Sequence, residues 1–427
     1  MDLRQERENR GLIYQFSDEK LFDLYNKWGQ SFYIWFDPSA DSLQIGNMFS
    51  VMAAVHLMKY GNKCYFLVWW ATGMIWDPSG RSEERNFLSE EQLRHNQNCI
   101  YNQLTTFLDN IKQNYNINFN YEMVNNYDFF KWMDYLQFLR EVGKYITINY
   151  MINKESVKKR IEDPDQSITY AEMSYMLIQG YDFFSLFSKY GVKLQLWWSD
   201  QRWNVTTWMD LISKKLWETS YCLTIPLITD ATWAKYGKSA GNAVWVDKNK
   251  NSPYFVYQFF LNSDDSLVEK LLKVFSLKSL EEIDEIVKKH EQDPASRYGQ
   301  KELASWVVEV LFGKKAVQEV EKITQILFGS EDKINLIKWL DQEEILALKD
   351  ATGGTKLKGN ERKILDLCTQ SWLTESNWEA KKMIQAWAIF CNEEKIDDIQ
   401  KILTKSDSIN WIFLLRKGKK VFKVAQI

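Results

Sequence analysis

Residues 33–47, YIWFDPSADSLQIGN, give the order of elements that decides the fold. The apolar start YIWF predicts a buried strand, the polar DPSADS predicts a turn, and a segment with helical spacing follows. A turn that leaves a strand and opens a helix presents free backbone N–H groups, and such groups bind phosphate. The stretch therefore predicts a strand–turn–helix unit with a phosphate-facing turn.

Strands and helices alternate around this unit. Three apolar runs predict further strands: KCYFLVWWATGMI at residues 63–75, ITINYMI at 146–152 and VKLQLWW at 192–198. Residues 90–111 and 170–190 lie between them and have helical spacing. Alternating strands and helices predict a parallel sheet in an α/β domain.

The pattern changes in the second half of the chain. From Ser263 onward it predicts short amphipathic helices with no strand between them. The polar, glycine-containing DATGGTKLKGN at residues 350–360 is typical of a linker, and a small α+β module is expected after it. We therefore expect a helical domain between the sheet domain and a C-terminal module.

Composition excludes several classes of protein. With 45% hydrophobic residues, 26% charged residues and 6 prolines, the chain is globular. No run approaches roughly 18 uninterrupted apolar residues, and the start MDLRQERENR is too charged for a signal peptide, so we expect a cytoplasmic protein without membrane contact. The five cysteines are widely spaced and never form a C-x-x-C pair, which argues against disulfides and a zinc site.

Charge is unevenly distributed along the chain. The formal net charge is −3, but residues 351–427 contain 14 Lys and Arg against 9 Asp and Glu. A basic terminal segment on an acidic body is compatible with nucleic-acid contact. A modest surplus of this kind is more often a solvated face, so the charge alone decides nothing.

The counts of glycine and tryptophan are abnormal. The chain contains 18 Gly and 19 Trp in 427 residues. Average usage predicts roughly 30 glycines in a chain of this length, whereas tryptophan is normally scarce. Glycine is short by about as much as tryptophan is in excess, so one explanation should account for both.

Five ordered motifs carry a family resemblance. Residues 33–47 resemble the HIGH region of class I aminoacyl-tRNA synthetases of the tyrosyl type, and four further matches follow in order: ATGMIWDPSGRSEER at 71–85, SYMLIQGYD at 174–182, residues 195–204, and KYGKS at 235–239 running into AVW. The KYGKS segment resembles the KMSKS loop of this family. Residues 371–392 resemble an S4-type RNA-binding module. The resemblance covers nearly the whole chain and is weakest between about residues 264 and 350.

The resemblance implies an activity and a domain order. It implies ligation of L-tyrosine to tRNA(Tyr): ATP, accompanied by Mg²⁺, is the substrate that activates tyrosine as an adenylate, and no protein-bound metal is expected. It implies an α/β fold with a Rossmann-like parallel-sheet catalytic domain at 1–225, a KMSKS-type loop and α-helical tRNA-contacting domain at 226–345, and a linker with an S4-like module at 346–427. A homodimer is implied as well.

The resemblance also implies roles for individual residues. Residues expected to handle phosphate charge are Gln44, Asn47, Lys235, Lys238 and Ser239. Tyrosine contacts are expected from Tyr33, Asp37, Tyr175, Gln179, Asp182 and Gln195, with Tyr33 and Asp182 at the phenol hydroxyl. ATP contacts are expected from Ser39, Gly46, Arg81, Arg85 and Asp200, the last at the ribose. RNA contacts are expected from Ser376, Glu379, Lys381, Lys382, Asn392, Arg416, Lys417, Lys419 and Lys420.

Two kinds of departure from the family pattern stand out. Gln44 and Asn47 replace the two histidines of HIGH; both donate hydrogen bonds to phosphate, and neither carries charge. Tryptophan also stands at many positions where the family has glycine: Trp35, Trp69, Trp70, Trp76, Trp197, Trp198, Trp203, Trp208, Trp233, Trp372, Trp378, Trp387 and Trp411. At Trp245 the family itself has tryptophan.

A single hypothesis explains both the counts and the positions. If the gene uses UGA as a glycine codon, reading UGA as tryptophan produces this sequence. The alternative is that the tryptophans are real and have closed the nucleotide site, leaving a catalytically impaired, synthetase-derived RNA-binding protein. A related tryptophanyl-type enzyme is a further alternative, although Asp182 as a partner for a phenol and the S4-like tail favour tyrosine.

Overall fold

The structure is a computed structural model that describes residues 2–73, 88–153, 155–163, 168–199, 202–227, 229, 238–239, 242–329, 332–357, 361–418 and 421–427. The chain forms two compact units. The first comprises Met1–Asp247 and Leu261–Leu311, and the second comprises Lys248–Phe260 and Phe312–Ile427. No helix in the described ranges is both long enough and apolar enough to cross a bilayer.

The helices, numbered along the chain, are α1 Leu3–Asn9, α2 Lys20–Tyr25, α3 Ile45–Met58, α4 Trp70–Gly73, α5 Glu90–Tyr115, α6 Tyr127–Phe130, α7 Tyr135–Glu141, α8 Ile148–Ile152, α9 Glu155–Glu162, α10 Tyr170–Tyr190, α11 Arg202–Leu216, α12 Pro253–Leu261, α13 Asp265–Phe275, α14 Leu280–Gln292, α15 Tyr298–Phe312, α16 Lys314–Phe328, α17 Lys333–Lys338, α18 Gln342–Thr352, α19 Ile364–Gln370 and α20 Asn377–Gln385.

The strands are β1 Gln15–Phe16, β2 Ser31–Phe36, β3 Lys63–Val68, β4 Asn120–Asn125, β5 Leu194–Trp198, β6 Tyr221–Ile225, β7 Lys238–Ser239, β8 Asn242–Ala243, β9 Thr355–Lys356, β10 Glu361–Lys363, β11 Ile389–Cys391, β12 Glu394–Lys395, β13 Ile402–Thr404, β14 Ile412–Lys417 and β15 Val421–Gln426.

A six-stranded sheet organises the first unit. Its strand order is β1-β6-β5-β2-β3-β4, and every neighbouring pair is parallel except β1 and β6. Strands β2 and β3 are buried at all but their first residue, as expected for a parallel sheet that is covered on both faces. The predicted α/β fold with a Rossmann-like parallel sheet is confirmed.

One predicted strand is wrong. Residues 146–152 were expected to form a strand because they are apolar and β-branched, but Ile148–Ile152 is helix α8. The Thr147 hydroxyl accepts a hydrogen bond from the Tyr150 N–H at 3.2 Å and caps this helix. A local cap of this kind overrides β propensity in a short apolar run.

The prediction of helices without strands after Ser263 is confirmed for α13 to α18. The polar segment 350–360 differs from the expected linker where the structure describes it. Gly353 ends α18 with a left-handed backbone (φ 59°), and β9 pairs in parallel with β15. This segment therefore contributes to the C-terminal sheet.

The second unit contains two sheets and two hydrophobic clusters. A five-stranded sheet has the order β12-β11-β14-β15-β9, and β10 pairs with β13. One cluster packs α19 and α20 against this sheet through residues such as Leu367, Ile384 and Phe413. The other packs helices α16 to α18 on the sheet through Ile326, Leu348 and Leu414. The small α+β module expected near the C-terminus is present.

Candidate active site

The candidate active site is a cavity at the carboxyl ends of β2, β3 and β5. Ligands bind in parallel sheets where neighbouring strands connect in opposite directions. Here the chain runs from β2 to β3 on one side, whereas β5 joins β2 on the other. The cavity of about 240 Å³ is lined by Trp35, Asp37, Ser39, Ala40, Ser42, Leu43, Gln44, Asn47, Trp69, Tyr175, Trp197 and Trp245. Five predicted site residues, Asp37, Ser39, Gln44, Asn47 and Tyr175, therefore share one cavity.

The other predicted tyrosine contacts form a buried polar group. Tyr33, Gln179, Asp182 and Gln195 are each 1% exposed. Tyr33 and Gln195 are register partners on the adjacent strands β2 and β5. Oδ2 of Asp182 accepts a hydrogen bond of 3.1 Å from Nδ2 of Asn126. These side chains do not line the cavity, although they come from the same strands and from α10.

Burial sets the charge state of this polar group. It raises the pKa of the Asp182 carboxyl well above its usual range, while the hydrogen bond from Asn126 acts in the opposite direction. Burial, with a contribution from Asp182, also raises the pKa of the Tyr33 hydroxyl well above its usual value. Both shifts favour the neutral forms. The pair therefore offers hydrogen bonds more readily than charges.

Several polar atoms in this group have no hydrogen-bond partner within the described residues. They are Oδ1 of Asp182, Oε1 of Gln179, and both Oε1 and Nε2 of Gln195. Buried polar atoms nearly always have a partner, because leaving one unpaired is costly. Their concentration at one place fits a ligand that carries its own polar groups.

Helix α10 positions three of the predicted residues on one face. Tyr175, Gln179 and Asp182 follow the i, i+4, i+7 spacing, and Gln179 Nε2 donates to the Tyr175 hydroxyl. The helix begins with a capping box between Thr169 and Glu172. This first turn fixes where the helix starts and so helps to fix the register of the three side chains.

Tryptophan rings line the cavity and also lie beside the buried polar group. Trp35 stacks on Trp197, with ring centroids 4.2 Å apart, and on Trp69 at 4.9 Å. The Trp35 ring centroid lies 6.0 Å from that of Tyr33, and the Trp69 ring centroid lies 5.9 Å from that of Tyr175. The stack thus narrows the cavity to about 240 Å³, below the roughly 300–1,000 Å³ typical of pockets for drug-sized molecules.

The turn before α3 is joined to the segment after the predicted KMSKS-type loop. The Ile45 N–H donates to the Val244 carbonyl at 2.9 Å, and the Val246 N–H donates to the Leu43 carbonyl at 3.0 Å. Gln44 forms a β-bridge with Trp245. Two motifs that are far apart in sequence therefore meet at the first turn of α3, which also contains Gly46.

Asn47 has one defined partner in this turn. Its Oδ1 accepts a hydrogen bond of 2.9 Å from the Gln44 N–H. This contact leaves the Asn47 amide NH₂ as a donor. The positive end of the α3 dipole lies at the same place, which favours an anion there.

Gln103 on α5 is a site residue that the sequence did not reveal. Its Oε1 accepts from the Leu43 N–H at 2.8 Å, and its Nε2 donates to the Asp41 carbonyl at 3.3 Å. Ser42 extends the contact, because its hydroxyl accepts from the Asp247 N–H at 3.2 Å. No local pattern distinguishes Gln103 from the other polar residues of this long helix, so only the tertiary structure reveals it.

Asn126 was also missed. It is fully buried and joins Asp182 to the backbone, since its Oδ1 accepts from the Ala71 N–H at 2.8 Å. A positional signal existed, because Asn126 directly follows the parallel strand β4. Polar residues at the carboxyl ends of such strands commonly face the ligand site.

Several predicted residues cannot be placed. Arg81, Arg85, Asp200 and Lys235 lie outside the described residues, as do Lys419 and Lys420. For Lys238 and Ser239 the backbone alone is described, as strand β7 paired with β8. In the described part of the chain, no three His, Cys, Asp or Glu side chains are grouped so that they could hold a metal ion.

The predicted RNA-binding residues of the second unit surround α20. Ser376 caps this helix, with its hydroxyl accepting from the Glu379 N–H at 3.2 Å. Lys381 and Lys382 are exposed on the helix, as expected for phosphate contacts. Glu379 is engaged by Lys417 at 3.2 Å.

The remaining two residues of this set lie near the ends of β11 and β14. Oδ1 of Asn392 accepts from the Leu414 N–H at 2.9 Å, and its Nδ2 donates to the Asp407 carbonyl at 2.8 Å. The Arg416 guanidinium lies over the Phe390 ring, 3.8 Å from its centroid. Asn392 therefore stabilises the fold of this unit through both ends of its side-chain amide.

Comparison with known proteins gives one result for both parts of the chain. Residues 29–329 match the family "tRNA synthetases class I (W and Y)", and residues 344–425 match the "Tyrosine--tRNA ligase SYY-like C-terminal domain". The chain is 40% identical over 427 residues to the tyrosine–tRNA ligase of Streptococcus mutans, covering 99% of each chain. It is 39% identical over 423 residues to that of Lactococcus lactis subsp. cremoris, covering 98% of each.

Solved structures of tyrosyl-tRNA synthetases resemble this chain as well. A C-terminally truncated mitochondrial tyrosyl-tRNA synthetase from Aspergillus nidulans superimposes with a TM-score of 0.68 at 27% identity, covering 77% of this chain and 94% of that one. The tyrosyl-tRNA synthetase of Archaeoglobus fulgidus shares the fold, with a TM-score of 0.53 at 18% identity over 74% of this chain and 100% of that one. With the parallel sheet, the cavity at its carboxyl edge and full-length relatives in agreement, the chain belongs to the tyrosyl-tRNA synthetase family of class I.

Proposed function

We propose that this protein is an active tyrosine–tRNA ligase, which activates L-tyrosine with ATP and transfers it to the 3′ end of tRNA(Tyr). The observation that carries the proposal is the buried group of Tyr33, Asp182 and Gln195, supported by Asn126. A site built to hydrogen-bond a phenol hydroxyl rejects phenylalanine, since buried polar groups would lose their partner; tyrosyl-tRNA synthetases are themselves the reference case for this effect.

In the first step, a carboxylate oxygen of tyrosine attacks the α-phosphorus of ATP. The bond between the α-phosphorus and the oxygen that bridges it to the β-phosphorus breaks, and pyrophosphate leaves; Mg²⁺, where bound to ATP, would supply further positive charge to the phosphates. No covalent enzyme intermediate is needed, so catalysis rests on positioning and on stabilising phosphate charge. Gln44, the Asn47 amide and the N-terminus of α3 supply donors, and Lys235, Lys238 and Ser239 are proposed to hold the pyrophosphate.

The remaining roles follow from placement in the cavity. Asp37 and Tyr175 line it, which supports the proposed contact with the α-ammonium group of tyrosine; Gln179 is bonded to Tyr175. Ser39 lies on the loop before α3, and Gly46 lies in the first turn of that helix. ATP phosphates are expected at both places. For Arg81, Arg85 and Asp200, the proposed contacts with ATP rest on the family resemblance alone.

The second unit is proposed to bind tRNA. The exposed Lys381 and Lys382, with Arg416, Lys417, Lys419 and Lys420, would contact phosphates, and Ser376, Glu379 and Asn392 would shape the surface. The proposal also includes three domains, at residues 1–225, 226–345 and 346–427. It further includes a cytoplasmic location.

One observation favours a second candidate function. The stack of Trp35, Trp69 and Trp197 narrows the cavity, which is expected of a catalytically impaired, synthetase-derived RNA-binding protein. Tyrosine-dependent ATP–pyrophosphate exchange, assayed on the chain with glycine at positions 35, 69 and 197, separates the two. The ligase exchanges with tyrosine far better than with phenylalanine or tryptophan, and the RNA-binding protein exchanges with none of them.

Replacing Gln103 with Met is expected to slow pyrophosphate exchange. Met has a similar length but makes neither hydrogen bond to residues 41–43, and leaving such groups unpaired costs about 1–3 kcal/mol. We expect kcat to fall roughly tenfold. The KM for tyrosine should be unchanged because the hydrogen bonds of Gln103 within the described residues go to residues 41–43. Steady-state exchange kinetics, in a parent with glycine at positions 35, 69 and 197, measure both constants.

The matched control for Gln103 is Asn102→Met, an exposed position on the same helix. It should leave both constants at the parental values. Gln103→Glu retains the acceptor for Leu43 but loses the donor to Asp41, so its kcat should lie between those of Gln103→Met and the parent. A Gln103→Met variant with parental kcat would contradict a positioning role.

A homodimer is proposed through the exposed apolar side chains around α7. Trp132, Tyr135, Leu136 and Tyr170 are 86%, 60%, 75% and 63% exposed, and the hydroxyls of Tyr135 and Tyr170 lie 3.0 Å apart. A monomeric soluble protein rarely exposes large apolar side chains in such a group. A second copy of the chain is therefore the proposed occupant.

The variant Leu136→Glu is expected to convert the dimer to a monomer, because a charge buried at an apolar interface is unpaired. Light scattering coupled to size exclusion should report half the parental mass. Leu346→Glu, a Leu on helix α18 that is 44% exposed, is the control and should leave the mass unchanged. Parental mass for Leu136→Glu would rule out this surface.

A further inference from the structure

Four tryptophans have a left-handed backbone. The φ angles are 56° at Trp217, 58° at Trp372, 58° at Trp387 and 66° at Trp411. In the described residues these are four of the nine non-glycine positions with positive φ, and three of the other five are asparagine. Glycine takes this conformation freely and asparagine tolerates it, whereas a bulky side chain is strained there. Trp217 was not among the positions singled out from the sequence.

Trp372 and Trp387 end helices in the way that glycine does. After α19, the Trp372 N–H donates to the Thr369 carbonyl at 3.1 Å and the Leu373 N–H to the Cys368 carbonyl at 3.0 Å. After α20, the Trp387 N–H donates to Ile384 at 2.9 Å and Ala388 to Met383 at 2.9 Å. This pair of bonds is the Schellman motif, whose left-handed residue is usually glycine.

The same chain uses glycine for this purpose elsewhere. After α18, the N–H groups of Gly353 and Gly354 donate to Asp350 at 3.1 Å and Lys349 at 2.8 Å, and φ of Gly353 is 59°. The backbone at Trp372 and Trp387 is therefore the one that Gly353 adopts. The difference lies in the side chain alone.

Trp411 occupies the glycine position of a tight turn. Ile409 and Ile412 exchange two backbone hydrogen bonds, of 2.9 and 3.0 Å. The two residues between them, Asn410 and Trp411, both have positive φ, 49° and 66°. A two-residue turn with two left-handed residues is type I′, for which Asn-Gly is the favoured pair. Here the pair is Asn-Trp.

These four side chains contribute little packing. Trp217, Trp372, Trp387 and Trp411 are 91%, 77%, 54% and 52% exposed. By contrast, Trp306 is 5% exposed within helix α15, and its ring stacks on Tyr115 with centroids 5.3 Å apart. The contacts of Trp306 explain why a tryptophan is there. The Trp387 and Trp411 rings contact only the ammonium groups of Lys395 and Lys405 among the ring contacts described, 3.8 and 3.6 Å from the ring centroids, and such contacts are weak at exposed sites.

The active-site tryptophans point to glycine for a different physical reason. Trp35 and Trp197 lie on β2 and β5, on the sheet face that also carries Tyr33 and Gln195, and Trp69 stacks on Trp35. Their rings fill part of the cavity, and the Trp35 ring lies beside the Tyr33 ring. The requirement here is small size, whereas at the surface it is a left-handed backbone. Glycine is the one residue that meets both requirements.

We propose that the source organism translates UGA as glycine, so that its own copy of this protein carries glycine at Trp217, Trp372, Trp387 and Trp411 and at Trp35, Trp69 and Trp197. Trp245 and Trp306 are tryptophan in both. One decoding rule then explains the backbone at these sites, and glycine at these seven positions alone moves the counts from 18 to 25 glycines and from 19 to 12 tryptophans, toward average usage. The left-handed backbones do not depend on catalysis. The proposal can therefore be tested without measuring ligase activity.

Peptide mass spectrometry of the protein purified from its own cells tests the proposal. We expect glycine at the seven positions and tryptophan at 245 and 306. The gene should read UGA at the seven and UGG at the two. Tryptophan in the native peptides at the four left-handed positions overturns the proposal, whatever the enzyme's activity.

Thermal unfolding of recombinant protein gives a second readout. Trp387→Gly and Trp411→Gly each remove strain at a left-handed residue, so each is expected to raise Tm by about 2–4 °C. Trp306→Gly removes a buried, stacked ring from a helix and should lower Tm. A fall in Tm for both Trp387→Gly and Trp411→Gly, matching that of Trp306→Gly, would contradict the inference.

Discussion

Replacing Trp35, Trp69 and Trp197 together with glycine is expected to raise tyrosine-dependent ATP–pyrophosphate exchange by on the order of 10²-fold or more. The three stacked rings line the cavity, and the Trp35 ring also lies beside the Tyr33 ring. We expect the rings to keep the tyrosine carboxylate away from the α-phosphate of ATP. Misplacement of reacting groups by about 1 Å already costs rates of this order.

The control for this triple replacement is Trp306→Gly, which removes a tryptophan remote from the cavity and should not raise exchange. Binding of ATP, measured by calorimetry, should tighten in the triple variant and remain unchanged in the control. Exchange that stays flat or falls in a folded triple variant would show that the rings do not block the site. The RNA-binding alternative would then be favoured.

Replacing Asp182 with Ala is expected to lower kcat/KM for tyrosine by about 10²-fold, since a hydrogen bond to a buried carboxyl is lost and its partner is left unpaired. Activity with phenylalanine should change far less, because that substrate makes no bond to Asp182. The preference for tyrosine over phenylalanine should therefore collapse. Exchange kinetics with each amino acid, measured in one parent chain that carries glycine at positions 35, 69 and 197, provide the ratio.

Two further variants separate chemistry from packing at this position. Asp182→Asn keeps the shape and can still pair with Asn126, so its loss should be smaller than that of Asp182→Ala. Asn126→Ala removes the 3.1 Å hydrogen bond to Asp182 and should weaken the preference for tyrosine without abolishing it. An unaltered tyrosine preference in Asp182→Ala would remove the central argument for a phenol-reading site.

The sequence predicted the parts of the fold that depend on local pattern. The apolar runs around Tyr33, Lys63 and Leu194 became β2, β3 and β5, because buried parallel strands are apolar throughout. Residues 146–152 were misread, because Thr147 caps a short helix in a run that otherwise favours a strand. The segment 350–360 was misread because strand β9 is only two residues long and depends on β15.

The sequence predicted the site residues that lie in motifs. It did not predict site residues whose role depends on contacts between separate elements. Asp37, Gln44, Asn47 and Tyr175 follow the motif order and share one cavity. Gln103 acts from the middle of another helix, so its role follows from packing alone.

The sequence marked most of these tryptophans and suggested UGA decoding as the reason, and the structure adds the physical requirement for glycine. Resemblance marked Trp372, Trp387 and Trp411, and their left-handed backbones give the physical cause. Trp217 shows what the structure adds, because its φ of 56° identifies a glycine position that the motifs did not.

The decisive measurement is ATP–pyrophosphate exchange by the glycine-containing protein, assayed with tyrosine, phenylalanine and tryptophan. The protein should carry glycine at the seven positions and retain Trp245 and Trp306. We expect rapid, tyrosine-dependent exchange with little response to the other two amino acids. A correctly folded glycine-containing protein that exchanges with none of them, or that prefers tryptophan, would show that the chain is not a tyrosine–tRNA ligase.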